Sequence, residues 1–258
     1  MLLYLIVENK NDNEDKMRGL IDMHCHILPG VDDGSQDMEQ TINMLKIAYD
    51  DGIRKMIATP HYHIGRMIAD RALCQERITE VRNAIKELGM DMEIYPGNEI
   101  YYFSEAMDKV GEKEIHTLAD SSYVLIEFEP KVDYLRIQRA VSNVAREGYV
   151  PIIAHIERYM CLVEKAARCE ELVSQGALLQ VNASSVTGKY GKDIQKFIKK
   201  LMKKELISFV ASDAHSDESR RPRLSEAYEY VKKKFDEDYA DELFCYNQEK
   251  LIADERIL

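Results

Sequence analysis

The sequence predicts an α/β fold with a mainly parallel sheet closed into a barrel. Three observations carry this. Short apolar runs alternate with stretches of helical periodicity along almost the whole chain of 258 residues. No Pro/Gly/Ser-rich linker divides it, and no internal repeat occurs. Imidazoles and carboxylates gather at the ends of the apolar runs. An open doubly wound sheet and a barrel both fit the periodicity, but barrels carry functional groups at the C-terminal ends of their strands, so the placement of these residues favours the barrel.

The runs and helices follow in order. The first run is Leu20–His26. A helix is expected from about Met38 to Asp51, with Met38, Ile42 and Leu45 on one face. Asp37 and Gln40 have capping-box spacing, and Gly52 suits the position after the helix. Lys55–Thr59 is the second run, and a helix carrying Ile78, Val81, Ile85 and Leu88 ends at Gly89. Further runs are Met92–Tyr95, Tyr123–Phe128, Pro151–Ala154, Leu178–Val181 and Ile207–Ala211. Helices are expected around Ile137, Val141 and Val144, at Glu164–Ser174, and at about Asp193–Lys204. The charge run KKKFDEDYADEL reads as a solvated helical face, with contact to a partner kinase as the alternative.

Residues 1–18 read as an N-terminal extension before one domain spanning 19–258, with Met17 as an alternative start. Leu2–Val7 lacks a basic flank and a small-residue cleavage site, so it is a poor signal peptide. No apolar run approaches the roughly 20 residues of a membrane helix. The five cysteines (Cys25, Cys74, Cys161, Cys169 and Cys245) form no CxxC pair and suggest neither a disulfide framework nor a zinc ribbon. Reduced thiols and a cytoplasmic location are the expectation. A net charge of −11 argues against non-specific nucleic-acid binding, while a small phosphorylated group stays possible at a local cationic site.

Six of the seven histidines fall at or just beyond run ends. The clusters are His24-Cys-His26, Asp32-Asp33, His61-Tyr-His63, Glu99, Glu127, His155 and Asp213-Ala-His215. Residues i and i+2 of a strand share a side, so His24 and His26 can reach one ion, as can Asp213 and His215. Imidazole with carboxylate suits Mn, Fe or Zn. Cys25 faces away from its neighbours and reads as a packed thiol, and His116, with no cluster around it, reads as structural. His63 reads as a substrate-side or supporting residue rather than a ligand. The run at Leu178–Val181 ends in Asn182-Ala-Ser-Ser and offers no ligand.

Together these residues resemble the PHP superfamily of metal-dependent phosphoesterases. Within it they are similar to bacterial protein-tyrosine phosphatases of the CpsB/YwqE type, which act beside capsule or exopolysaccharide tyrosine kinases. The motifs IDMHCHILPGVDDGS, ATPHYH, PGNEI, LIEFE, PIIAHIERY and ASDAHS carry the resemblance. It implies a distorted (β/α)7 barrel holding three divalent ions, usually manganese. One ion would be held by His24, His26, Glu99 and Asp213. A second would share Glu99 and add Glu127 and His155, and a third would use Asp33, His61 and His215. The resemblance also assigns Arg158 and Arg220 to phosphate binding, with Arg221 and Arg223 as nearby competitors. It implies a phosphotyrosine protein as partner, a tyrosine kinase of polysaccharide synthesis. The extension before Gly19 departs from the family pattern, and Tyr62-His63 and Tyr101-Tyr102-Phe103 lie where substrate-facing loops vary.

Three divalent ions against four carboxylates leave a local charge of about +2, which attracts a phosphomonoester despite the acidic chain. A hydroxide bridging the ions would attack phosphorus in line. Tyrosine leaves as a phenolate of pKa about 10, so the need for a strong general acid is small. A thiol-based tyrosine phosphatase is excluded, because it needs Cys followed by Arg six positions later. The residues at that distance are Val31, Glu80, Ala167, Gln175 and Leu251. Three alternatives stand: a small-molecule phosphatase of the histidinol-phosphate type, a metal-dependent amidohydrolase, and a non-catalytic metal-binding module. Asp33, where the first usually has His, and the closing Asp-Ala-His fit the tyrosine phosphatase better.

Overall fold

The computed structural model describes residues 19–257; the extension expected over residues 1–18 lies outside them. Helices and strands alternate in the order β1 (Leu20–Cys25), α1 (Met38–Asp50), β2 (Ile53–Ala58), β3 (His61–His63), β4 (Met67–Ile68), α2 (Arg71–Glu87), β5 (Glu93–Pro96), β6 (Glu99–Tyr101) and α3 (Ala106–Gly111). There follow β7 (Tyr123–Glu127), α4 (Tyr134–Arg146), β8 (Val150–Ile153), α5 (Ala166–Ser174), β9 (Leu178–Asn182), α6 (Ala183–Val186), α7 (Lys192–Met202) and β10 (Phe209–Ala211). The chain ends in α8 (Ser225–Lys234), α9 (Glu237–Asp241) and α10 (Asn247–Ile252).

β2 and β3 form one bent stave, interrupted at Thr59-Pro60, and β5 and β6 form another, interrupted at Gly97-Asn98. Proline has no N–H to give a ladder. At Gly97 a Cβ would lie 2.9 Å from Ile57 Cγ2, so only glycine lets the two staves approach here. Counting each bent stave once, seven staves pair side by side in parallel: β1 with β2, β2 with β5, β3 with β6, then β6 through β10 in sequence. Among the described strands only β4 runs antiparallel, as the outer arm of a hairpin on β3. The ring closes where Cys25 bridges Ala214: His26 N donates to Ala214 O at 2.8 Å and Asp213 N to His24 O at 2.9 Å. This is the distorted (β/α)7 barrel expected from the sequence.

The periodicities translate directly. β7 reads YVLI before its terminal Glu, all four buried, as a parallel strand covered on both faces requires. α4 turns Ile137, Ala140, Val141 and Val144 inward. Asp37 caps α1 through Gln40 N at 2.8 Å, but the Gln40 side chain accepts from Gln36 N rather than from the cap residue, so the capping box is displaced by one position. The final strand and the helix before it start later and end earlier, respectively, than the apolar pattern implies, and α5 starts at Ala166 rather than Glu164. The hairpin at β3–β4 and the short α3 and α6 carry too few residues to show a period. In the KKKFDEDYADEL run, Lys232 pairs with Glu237 at 2.6 Å and Asp236 caps α9 through Tyr239 N.

The barrel interior is packed below the strand mouths by Met23, Ile57, Tyr123, Leu125, Ile152 and Phe209. Leu251 of α10 closes it from beneath. The chain after α10 is tied to the N-terminal end of β7: Asp254 accepts from Ser122 N at 2.7 Å, and Tyr123 Oη donates to Glu255 O at 2.6 Å. Leu251 is fully buried. Leu251→Ala is expected to lower unfolding free energy by about 2–5 kcal/mol through the cavity it leaves, read as a shift in the urea midpoint with unchanged slope.

Candidate metal centre

The C-terminal ends of the staves form one mouth, and the predicted residues meet there. β1 delivers His24 and, just past its end, His26; β3 begins with His61, β6 with Glu99, and β7 ends with Glu127. His155 and Asp213 each stand two residues past the ends of β8 and β10. Glu99 Oε2 is the hub, 3.3 Å from His24 Nε2, 3.2 Å from His26 Nε2 and 3.1 Å from His61 Nδ1. Its other oxygen lies 2.8 Å from His155 Nε2. Asp213 Oδ1 lies 3.6 Å from His24 Nε2, 3.7 Å from His26 Nε2 and 3.5 Å from His215 Nδ1.

Three groups of donors arise, each with its atoms within 4.8 Å of one another: His24, His26, Glu99 and Asp213; His26, Asp33, His61 and His215; and His61, Glu99 and Glu127. The first matches the set expected for one ion. The second contains Asp33, His61 and His215 and adds His26. In the third, His61 stands where His155 was expected; His61 Nδ1 is 3.0 Å from Glu127 Oε1, while His155 Nε2 is 3.8 Å from Glu127 Oε2.

The donor set fits divalent cations. Glu99 Oε2, Asp213 Oδ1 and His61 Nδ1 are buried without a hydrogen-bond partner, and they belong to the same cluster. A buried acceptor left unpaired is costly, and a cation with bonds of about 2.0–2.2 Å would satisfy donors at these separations. Electrostatics lead to the same point. Burial alone would raise the Glu99 carboxyl, but the His24, His61 and His155 imidazoles overwhelm it and hold it well below the usual carboxylate range. Burial would lower His26, yet Asp32 and Glu99 push it well above the ordinary imidazole value. Burial and the neighbouring His26 depress His215 to about 2. Glu99 therefore stays ionised and offers negative charge at the centre of the cluster, where a cation would take the place of protons on the imidazoles it binds.

Asp32 is a residue whose role the sequence did not disclose. Its Oδ2 lies 2.6 Å from His26 Nδ1 and accepts from His61 N at 2.9 Å, while Oδ1 accepts from Gly34 N at 2.9 Å. It orients His26 from behind, as carboxylates commonly orient ligating imidazoles. Gly34 is dictated by this packing, since a Cβ there would come within 2.2 Å of His26 O.

Arg158 and Arg220 both reach the mouth. Arg220 Nη2 is 2.7 Å from Asp213 Oδ2 and Arg158 Nη1 is 3.5 Å from the same oxygen. The mouth opens into a cavity of about 280 Å³ lined also by Arg66, Met67, Phe128 and Pro130. One wall is aromatic: the His63 ring stacks on Tyr101 at 3.9 Å with 1° between the planes. The Tyr62-His63 and Tyr101-Tyr102 stretches divide between core and cavity. Strand alternation turns Tyr62 and Tyr102 into the hydrophobic core, leaving His63 and Tyr101 at the cavity. His116 lies outside the three donor groups, bonded to Asp120 at 2.9 Å, and Cys25 is a buried thiol of the core. Arg221 and Arg223 line a neighbouring cavity rather than this one.

The profile of the family described as "Capsular polysaccharide synthesis, CpsB/CapC" matches residues 20–253. The chain belongs to this family. Tyrosine-protein phosphatase CpsB of Streptococcus pneumoniae is 37% identical over 243 residues, which span 92% of this chain and 100% of that protein. Among solved structures, a chain from the study of YwqE from Bacillus subtilis and CpsB from Streptococcus pneumoniae, described as unique metal-dependent tyrosine phosphatases, is similar with a TM-score of 0.87 and 32% identity, covering 92% of this chain and 96% of that one. Histidinol phosphate phosphatase of Lactococcus lactis, with a TM-score of 0.57 and 15% identity over 84% of this chain and 94% of its own, shares the fold.

His24→Ala is expected to lower the manganese retained after equilibrium dialysis, with an unchanged far-ultraviolet circular dichroism spectrum. Retention equal to wild type would remove His24 from the ligands.

Proposed function

We propose that this protein is a manganese-dependent protein-tyrosine phosphatase with three divalent ions in the barrel mouth, acting on a tyrosine kinase of capsule or exopolysaccharide synthesis. The observation that carries the reading is the convergence of the unpartnered carboxylate oxygens of Glu99 and Asp213 beside two arginines anchored on Asp213. The likeness to CpsB and the family's link to capsular polysaccharide synthesis support the substrate and the pathway.

The ions would be held by His24, His26, Asp33, His61, Glu99, Glu127, His155, Asp213 and His215. When bound, they supply Lewis acidity toward phosphoryl oxygens and an activated water nucleophile. The chain's own groups do the rest. Arg158 and Arg220 each use one guanidinium nitrogen on Asp213 and have others to bind phosphoryl oxygens in a planar fork. Asp213 thereby fixes the two cations in place before substrate arrives. The His63–Tyr101 stack gives the substrate's phenyl ring an aromatic wall and excludes water from one side of it. Phenolate, a weak base beside an alkoxide, leaves without a strong acid.

Chelator-stripped protein given Mn, Zn, Mg or Co and offered a phosphotyrosine peptide, a phosphoserine peptide or histidinol phosphate tests the reading. Turnover restored best by Mn and greatest on phosphotyrosine is expected. Activity confined to histidinol phosphate would overturn the substrate, and inactivity with every metal would overturn the enzyme. Arg158→Ala is expected to lower kcat/KM on the phosphotyrosine peptide about ten- to a hundredfold, the loss of about 1.5–3 kcal/mol for charge-assisted hydrogen bonds, in steady-state assays at saturating metal.

A further inference from the structure

β9 is the stave whose mouth end carries neither imidazole nor carboxylate; it presents Gln180 and Asn182, both buried. Their amide orientations follow from their partners. The His155 backbone N–H can only donate, and it meets Gln180 Oε1 at 2.7 Å, so that atom is the amide oxygen. Gln180 Nε2 then donates to Asn182 Oδ1 at 2.9 Å, which leaves Asn182 Nδ2 to donate to Asp213 Oδ2 at 2.8 Å. The line is anchored from behind, because Asn182 N donates to the buried Glu157 Oε1 at 2.9 Å.

Each end of this line acts on a candidate ligand. Gln180 Oε1 lies 3.2 Å from His24 Nδ1. An acceptor there selects the tautomer with its proton on Nδ1 and its lone pair on Nε2, the nitrogen that faces Glu99 and Asp213. At the other end, Asn182 occupies Asp213 Oδ2 and so directs Oδ1 toward the imidazoles. The backbone adds an independent observation. His155 has φ +30° and Asp213 φ +52°, left-handed values that non-glycine residues keep only when their surroundings hold them. Both residues are bonded to this pair of amides.

We infer that Gln180 and Asn182 form a positioning relay for the metal centre: they set the His24 tautomer, hold His155 in its left-handed turn, and fix the rotation of Asp213. The relay couples residues from three staves, so that ligands of different ions are set together. The inference rests on the reading of the mouth as a divalent-metal site.

The test is manganese binding, followed by calorimetric titration of the chelator-stripped full chain, alongside thermal unfolding without metal. Gln180→Leu is expected to weaken manganese binding about ten- to a hundredfold. Gln180→Glu, which keeps an acceptor for His24 and the His155 N–H but loses the donor to Asn182 Oδ1, is expected to recover only part of that loss. Asn182→Ala, at the end of the strand, is expected to weaken binding as well, and it carries the test if Gln180→Leu does not fold. Manganese affinity equal to wild type in the folded variants, with only the unfolding temperature lowered, would overturn the relay and leave the amides as packing. Wild-type protein that binds no manganese would overturn the metal-site reading itself, and the relay with it.

Discussion

The two backbone bonds that join the first stave to the last are the constraint on which the rest depends. His26 N to Ala214 O and Asp213 N to His24 O link segments about 190 residues apart. They put the first His-x-His and the closing Asp-Ala-His into neighbouring register, so that four donors from opposite ends of the chain share one mouth. A parallel sheet left open at this seam would keep its apolar layers but separate His24 from Asp213, and no cation could be reached by both. Closure is therefore a requirement of the chemistry as well as a way of removing sheet edges.

Bringing so many ionisable groups together under burial is unfavourable unless their charges compensate. Glu99 and Asp32 against His26, and Asp213 against Arg220, supply part of that compensation within the protein. Glu99 Oε2 and Asp213 Oδ1, buried without a hydrogen-bond partner, lie where the groups converge. The charges that make the mouth costly to fold are the ones that would draw a cation to it, and a phosphate to that cation. Arg158 and Arg220 belong to the same balance, since both pair with Asp213.

Much of this was legible in the sequence because it has a period or a motif. The apolar runs at Leu20 and Tyr123, the inward face of α4, and the histidine and carboxylate clusters are local patterns that survive without tertiary information. What was not legible has no local signature. Asp32 and Asp33 are chemically identical neighbours, and only the fold shows that Asp32 lies behind His26 while Asp33 approaches His61 and His215. Gln180 and Asn182 are ordinary strand-end amides until His155 and Asp213 are brought against them. The bent staves escaped because one proline and one glycine inside an apolar pattern read as an end rather than a bend.

The stitching of the last residues to the start of β7 has an orientational consequence. Ser122, Tyr123 and Leu251 lie at the floor of the barrel, and Gly19 lies beside Arg54 and Cys245 at the N-terminal end of β1. Both limits of the described chain therefore leave from the side away from the mouth. Anything joined there, whether a bead, a fluorescent protein or a tether to a surface, holds the barrel like a cup by its base. A large molecule can then approach the rim from the free side without competing with the attachment for space.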